Sequence, residues 1–374
     1  MRIAIATGPF HPTPPGPAGA VERLTTDLAA RFAARGHEVT LISRRHPGLP
    51  DQEVAAGVRH LRLQGFRSTS RVWVNILKDF PYSLSAARRL PAADIWLLNS
   101  FWLPVLAARR RRAAGARIVV AAHRYPKGQY RLYRGVDRIT AVSRSVADAI
   151  VTQAPWSRPI VNVIPNPIDT SVFTAAPRDF NGPLRFLYAG RIHPEKGLEI
   201  LIRAFAQVAP RLPGSTLVIM GAWEVAQGGA GPAYVDHLRT LAGTAPVTFR
   251  DPVFERTAFA AALRACDVFV YPSVAEQGES FGVAPLEAMA TGAVPVVSAL
   301  ACFSDFLQDG VTGAVFDHRS PAASETLAGL LVRLGTAPDL LKALSAAGAT
   351  RARDFGTDLL ADRHLADYAA LLAG

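Results

Sequence analysis

Cysteine is almost absent: Cys266 and Cys302 are the only two in 374 residues. So few exclude a disulfide framework, and without a CxxC spacing they exclude a thiolate zinc site. Both lie in apolar surroundings and are expected to be reduced core residues. Lysine is nearly as scarce: of 41 basic residues only Lys78, Lys127, Lys196 and Lys342 are lysine. A lysine beside a chemically useful loop is therefore less apt to be filler. No run approaches the roughly 18–20 apolar residues of a membrane span. The opening MRIAIATGPF lacks the apolar stretch and cleavage site of a signal peptide. The protein is expected to be cytoplasmic, soluble or peripheral at the inner face of the cell membrane. There is no GxGxxG dinucleotide fingerprint and no aspartate-rich metal motif.

What is present is a large core. Hydrophobic residues make up 49% and charged residues 19%, which excludes disorder, and the length has room for two ordinary domains. The formal net charge is +11, so an anionic partner is worth seeking. The charge is lopsided. Residues 1–165 hold 25 Lys and Arg against 9 Asp and Glu, a surplus of +16; residues 166–374 hold 16 against 21, or −5. Two domains with different partners would carry such an asymmetry, as would a solvated basic surface without a ligand.

Short β-branched runs alternate with helical patterns, which means parallel sheets covered on both faces. In the first half, strands are expected at Arg2–Ala6, Glu38–Ser43, Ile95–Leu98, Arg117–Ala121, Arg138–Val142 and Ile160–Ile164. Helices are expected over Val21–Arg35, through Arg109–Arg112, and from Ser143. A polar, Pro-containing stretch from Pro165 to about Pro183 reads as the boundary. Strands then follow at Leu184–Ala189, Thr216–Met220, Val247–Phe249, Val268–Tyr271, Val294–Ser298 and Gly313–Phe316. Between and after them helices are expected at Gly197–Ala209, Ala258–Ala265, Pro285–Ala290, Ala322–Leu334, Asp339–Arg353 and from Leu359. Ligands of doubly wound sheets sit at the carboxyl ends of strands, so the loops there are the places to search.

Four such loops stand out. In FLYAGRIHPEKGLEIL, residues 186–201, a strand ends at Gly190, and the following loop presents Arg191 and Lys196 before a helix opens. Two cations beside a helix N-terminus suit a diphosphate; the plainer reading pairs them with Glu195 and Glu199. In YPSVAEQGESFGVAPLEAMATG, residues 271–292, Glu279 and Glu287 flank Phe281, Gly282 and Val283 at a helix start, with Glu276 as a competitor. Carboxylates read hydroxyl pairs, and free N–H groups around Phe281–Ala284 can reach a phosphate; two glutamates there also suit the helix dipole alone. The loop GPFHPTPPGPAGAVERL, residues 8–24, has glycines at Gly8, Gly16 and Gly19, and Gly19 lets backbone approach a ligand. In VVAAHRYPKGQYRLYRGVDR, residues 119–138, His123 follows a strand. Arg124, Lys127, Arg131, Arg134 and Arg138 interleave with Tyr125, Tyr130 and Tyr133. That stretch suits stacking on nucleic acid, an anionic lipid or a phosphorylated acceptor, and no nucleic-acid motif accompanies it.

In this order the four segments resemble the retaining glycosyltransferases of family 4, over nearly the whole chain. Glu279-Ser-Phe-Gly-Val-Ala-Pro-Leu-Glu287 looks like the family's Glu-x7-Glu motif, and Gly190-Arg191 with Lys196-Gly197 is similar to its diphosphate clamp. Residues 18–24 resemble its glycine loop, with Ala18 where a second glycine is usual. Asn166-Pro167 stands where the family often has Asn-Gly, and His123 matches the family histidine.

The resemblance implies the α/β GT-B fold, two Rossmann-like doubly wound domains facing across a deep cleft. The acceptor-side domain would be residues 1–168, with helix 357–374 packing back on it, and the donor domain residues 169–356. It implies a nucleotide-sugar donor, UDP- or GDP-linked, and a hexose moved with retention to a glycan or lipid-linked acceptor, as in polysaccharide or glycolipid synthesis. No cofactor or metal is expected. Arg191 and Lys196 would hold the diphosphate and Glu287 the ribose. Glu279, with Phe281, Gly282 and Val283, would hold the sugar and phosphates. Gly19 would close over the diphosphate, and His123 would contact the sugar. Glu279, His123, Arg191 and Lys196 form the expected catalytic set. Donor choice falls to the regions Gly221–Trp223 and Phe249–Asp251, with Gly221 and Arg250 as base-side residues. Asn75–Tyr82 and Tyr125–Tyr133 fall on the acceptor side, with Lys78, Arg124 and Lys127. An anionic membrane surface is a further expected partner, and nucleic acid is not. The alternatives are a GT-B epimerase, an inverting transferase, a silent scaffold, and a basic nucleic-acid-binding protein.

Overall fold

Apolar runs that bury both faces form the strands of two parallel sheets. The computed structural model describes residues 1–13, 19–69, 71–111 and 115–374; Gly16, Ala18 and Arg112, named above, lie outside the described residues. The first sheet contains β1 (Arg2–Ala6), β2 (Glu38–Arg44), β3 (Gln52–Ala55), β4 (Val58–Leu63), β5 (Ile95–Leu98), β6 (Arg117–Ala122), β7 (Arg138–Ala141) and β8 (Val161–Val163), in the order β3-β4-β2-β1-β5-β6-β7-β8. The second contains β9 (Arg185–Ala189), β10 (Thr216–Met220), β11 (Val247–Arg250), β12 (Val268–Tyr271), β13 (Val294–Ser298) and β14 (Ala314–Phe316), in the order β11-β10-β9-β12-β13-β14. Every pairing is parallel except β3 with β4.

Strand order reverses at β1, which lies between β2 and β5, and at β9, which lies between β10 and β12. Loops leaving the carboxyl ends of neighbouring strands diverge at such a switch point and leave a crevice. The loops carrying Gly19 and Lys196 leave these two strands.

The chain divides into Met1–Pro167 with Thr357–Gly374, and Ile168–Gly356. The final helix, Thr357–Ala373, completes the first unit by closing over the helix Ala20–Ala34. Phe32, fully buried, meets Tyr368 and His364 edge-on with ring centroids 6.0 and 6.3 Å apart. Arg35 holds Asp362 at 2.5 Å and Asp358 at 3.2 Å.

Three elements escape the sequence periodicity. The β3–β4 hairpin turns at Ala56 and Gly57, both with positive φ. Its β3 strand is nearly all exposed, and β4 buries Arg62, whose guanidinium meets Glu53 across the hairpin at 2.5 Å. Helix Val72–Arg89 contains Pro81 and turns apolar side chains outward, and helix Pro232–Ala242 follows the small residues Gly228–Gly231 and buries only Val235, Leu238 and Ala242. Of the helix expected through Arg109–Arg112, Leu103–Ala108 is helical, Arg109 and Arg110 form a turn, Arg111 is again helical, and Arg112 lies outside the described residues.

Phe32→Ala removes a ring packed by two elements distant in sequence. It should cost about 3–5 kcal/mol in urea unfolding followed by circular dichroism. Leu372→Ala, at a residue 37% exposed, should stay within about 0.5 kcal/mol of the parent.

Candidate functional site

In the second unit β9 pairs with β12, so the loops that follow them are neighbours. The first loop carries Lys196 at the end of a short 3-10 turn, Pro194–Lys196, and the second carries Glu279. Lys196 Nζ donates to Glu279 Oε2 at 2.7 Å, with only 7% and 11% of the two side chains exposed. Tyr271, last residue of β12, donates its hydroxyl to the same oxygen at 3.2 Å, and its ring lies 5.4 Å from the ammonium. Burial, then the Glu279 charge, pushes the Tyr271 hydroxyl well above its ordinary pKa, so it stays protonated as a donor. Tyr188 stacks on Tyr271 at 5.6 Å and donates to the Arg191 carbonyl at 2.8 Å, fixing that loop.

Arg191 is half-exposed. It reaches Glu195 at 2.5 Å and the Gly228 carbonyl at 2.9 Å. Glu199 pairs with Arg203 instead of Lys196, and Glu276 is engaged by Arg319 at 2.7 Å and His318 at 3.0 Å. Beside the ion pair the helix Val283–Ala290 begins. Gly282 caps it at φ 91°, and a Cβ there would sit 2.5 Å from the Phe303 ring. The first-turn N–H groups at Val283 and Ala284 have no acceptor within the helix. The Phe281 side chain is 1% exposed and packs on Phe306 and Phe355, so its backbone is the part it can offer a ligand. Glu287 lies one turn into this helix, partly buried.

At the carboxyl ends of β10 and β11 lies a pocket of about 230 Å³, walled by Trp223, Phe249, Arg250 and Asp251. Arg239 lies 5.6 Å over the Phe249 ring. Gly221 is not in its wall. Its backbone N–H binds the Arg250 carbonyl, and a Cβ would meet the Gly190 carbonyl at 1.6 Å, so glycine there lets two strand ends close.

In the first unit a separate cavity of about 430 Å³ brings together segments far apart in sequence, including His11, Asn75, Asp79, His123, Arg124 and Lys127. Asn75–Tyr82 and Tyr125–Tyr133 both contribute to it. Lys78 does not line it; its ammonium donates to the Arg67 carbonyl at 3.0 Å. Asp79 falls in the expected acceptor-side stretch Asn75–Tyr82 but was not singled out there, though it is the one acid between residues 54 and 93. It is 3% exposed and accepts from the Trp102 N–H and the Ser83 hydroxyl at 2.9 and 2.8 Å. Burial raises its pKa against those bonds. Tyr130 and Tyr133 are each 3% exposed, which removes those two as stacking platforms, whereas Tyr125 is only partly buried. Gly19, at φ 126°, caps helix Ala20–Ala34. His123 is partly buried, with Nδ1 3.3 Å from Asn166 Oδ1.

Residues 21–172 match the family described as Glycosyltransferase Family 4, and residues 183–334 match Glycosyl transferases group 1. The D-inositol 3-phosphate glycosyltransferase of Streptomyces griseus is 27% identical, over 99% of this chain and 88% of that one. Its namesake in Actinosynnema mirum is 28% identical, over 98% and 95%. Among solved structures, sucrose-phosphate synthase from Thermosynechococcus elongatus superposes with a TM-score of 0.78 at 21% identity, over 100% and 99% of the two chains. Anabaena HepE in complex with UDP and glucose gives 0.71 at 18%, over 99% and 100%. With two Rossmann-like units, these matches establish the GT-B fold class.

Burial, assisted by Arg124 and opposed by Asn166, drops the His123 pKa from 6.5 to about 4. The folded protein keeps it neutral where the unfolded chain takes a proton. Its contribution to stability is whole above pH 6.5 and drains as pH falls toward 4. His123→Asn should reduce proton uptake on unfolding in that window by up to about one proton, read from the slope of unfolding free energy against pH.

Proposed function

The chain belongs to glycosyltransferase family 4, and from that premise we propose that it moves a hexose-type sugar from a UDP- or GDP-linked donor to a glycan or lipid-linked acceptor, with retention at the anomeric carbon. The observation that carries this reading is the buried Lys196–Glu279 pair beside the start of helix Val283–Ala290. An ammonium out of water, next to first-turn N–H groups, attracts a diphosphate strongly. An arriving diphosphate competes with Glu279 for Lys196, and the released carboxylate can take sugar hydroxyls.

Arg191 adds a second cation, and Glu287 takes the ribose hydroxyls. The pocket walled by Trp223, Phe249 and Arg250 takes the base. In transfer the bond from the anomeric carbon to the leaving phosphate oxygen breaks. A bond to the acceptor oxygen forms on the same face, and the acceptor proton passes to the departing phosphate. Lys196, Arg191 and the free N–H groups stabilise the charge that develops there, without a resident metal. His123, kept neutral, serves the sugar, and the backbone at Gly19 approaches the diphosphate.

The acceptor belongs to the first unit's cavity. Arg124 and Lys127 lie at exposed positions of its wall and the Asp79 carboxylate is buried. A hydroxyl-bearing acceptor with an anionic group fits that charge pattern, and curated relatives named for D-inositol 3-phosphate are consistent with it.

Lys196→Ala and Glu287→Ala should each lower transfer about a hundredfold or more while keeping the circular dichroism of the parent. Turnover is measured with radiolabelled donor, and near-normal turnover in either variant contradicts the role given to that residue. Proton NMR of the product should show the anomeric configuration of the donor.

A further inference from the structure

Pro165-Asn166-Pro167 follows β8, and its asparagine is buried. A proline on each side leaves Asn166 little backbone freedom: Pro165 has a fixed φ, and Pro167 holds the residue before it in the extended region. The Ile164 N–H binds the Ala141 carbonyl at the end of β7, so the segment starts from a fixed point. His123 follows β6, on the other side of β7. The two side chains therefore meet across the end of β7, with His123 Nδ1 3.3 Å from Asn166 Oδ1. Among the described residues, Asn166 is the one side chain hydrogen-bonded to this imidazole. Thr140 and His364 share a small cavity of about 30 Å³ with the pair, and neither bonds His123.

An amide oxygen can only accept, so this contact places the imidazole proton on Nδ1 and leaves the Nε2 lone pair free. A carboxylate in the same place would also orient the ring, but its charge would favour the imidazolium, which has no lone pair to offer. Asparagine orients the ring without charging it. No carboxylate stands among the described residues of the small cavity's wall, and burial disfavours the cation at both His123 and His364. His123 also lines the 430 Å³ cavity with Glu22 and Asp79, and neither carboxylate bonds it.

We propose that Asn166 is a positioning residue that locks His123 in the Nδ1–H tautomer, so that Nε2 accepts a hydrogen bond from a hydroxyl of the donor sugar. The role at the sugar rests on the transfer reading above; the tautomer itself does not. As the bond from the anomeric carbon to phosphate breaks, the sugar gains positive charge. A lone pair facing its hydroxyl stabilises that charge, whereas an Nε2–H would turn a positive dipole toward it. The benefit falls on the transition state more than on the bound donor. Pro167, where the family often has glycine, gains a purpose as well: it holds the amide oxygen in place.

The full chain, with isotope-labelled histidine, is examined by long-range proton–nitrogen correlation at about pH 7.5, above the ordinary histidine pKa. His123→Asn identifies the His123 signals. The parent should show a protonated Nδ1 and a bare Nε2. Asn166→Asp keeps the acceptor oxygen and should keep the Nδ1 proton, whereas Asn166→Ala should move the proton toward Nε2. Melting temperatures confirm that each variant is folded; should the alanine variant fail, Asn166→Asp carries the comparison. With labelled donor, Asn166→Ala should lower kcat about tenfold, the worth of one hydrogen bond, and leave the donor KM within about twofold of the parent. A parent with its proton on Nε2 overturns the proposal, because the amide then donates. Loss of the Nδ1 proton in Asn166→Asp overturns it too, as does an Asn166→Ala variant with unchanged tautomer or unchanged kcat. A parent that transfers no sugar removes the role together with the transfer reading, and the tautomer, read without substrate, tells the two failures apart.

Discussion

An ammonium and a carboxylate held 2.7 Å apart and nearly out of water constrain everything around them. Each ion alone would cost several kcal/mol to bury, and the cost is offset only where geometry and further hydrogen bonds are good. The second unit meets that demand with its sheet. Adjacent parallel strands β9 and β12 bring the two loops together, Tyr271 supplies both a hydroxyl donor and a ring face, and Tyr188 stacks beneath it. The result is a cation preorganised beside a helix N-terminus and held by a carboxylate, which under the proposed function an incoming anion would replace. A solvent-exposed lysine would pay no such desolvation, and its attraction for a phosphate would be screened.

The sheets were legible because their strands are apolar throughout, and β1, β5, β10, β12 and β13 appear at the expected residues. Lys196 and Glu279, which the structure brings into contact, were legible from loops placed after strands, and scarcity drew attention to the lysine. Their mutual contact was not, because pairing across sequence depends on which strands are neighbours. The sequence reading offered Glu195 and Glu199 as partners for the two cations; the structure divides them, giving Glu195 to Arg191 and Glu279 to Lys196. Asp79 was not singled out for a related reason. Its helix has apolar residues on the outside, so periodicity points to the wrong face, and only tertiary packing shows the carboxylate turned inward. The β3–β4 hairpin broke the alternation rule by burying Arg62 against Glu53.

The charge asymmetry takes on a location. The second half is net acidic, and under the proposed function its donor would need only the few local cations Lys196 and Arg191. The surplus in the first half is concentrated partly on helix Val72–Arg89 and the turn at Arg109–Arg110, and partly at the cavity wall through Arg124 and Lys127. Other cations are spent structurally: Arg35 on the final helix, Arg138 on Asp367, Arg111 on Asp137. Two of the three tyrosines that looked available for stacking, Tyr130 and Tyr133, are core.

The central claim is that a buried lysine, neutralised by a glutamate in the free protein, is the anchor for a nucleoside diphosphate. Calorimetric titration of the parent and Lys196→Met with UDP and GDP tests it directly. The account predicts that the parent binds at least one of the two and that the variant loses about tenfold or more in affinity for it, with heat-unfolding still cooperative. Equal affinity in parent and variant would contradict it.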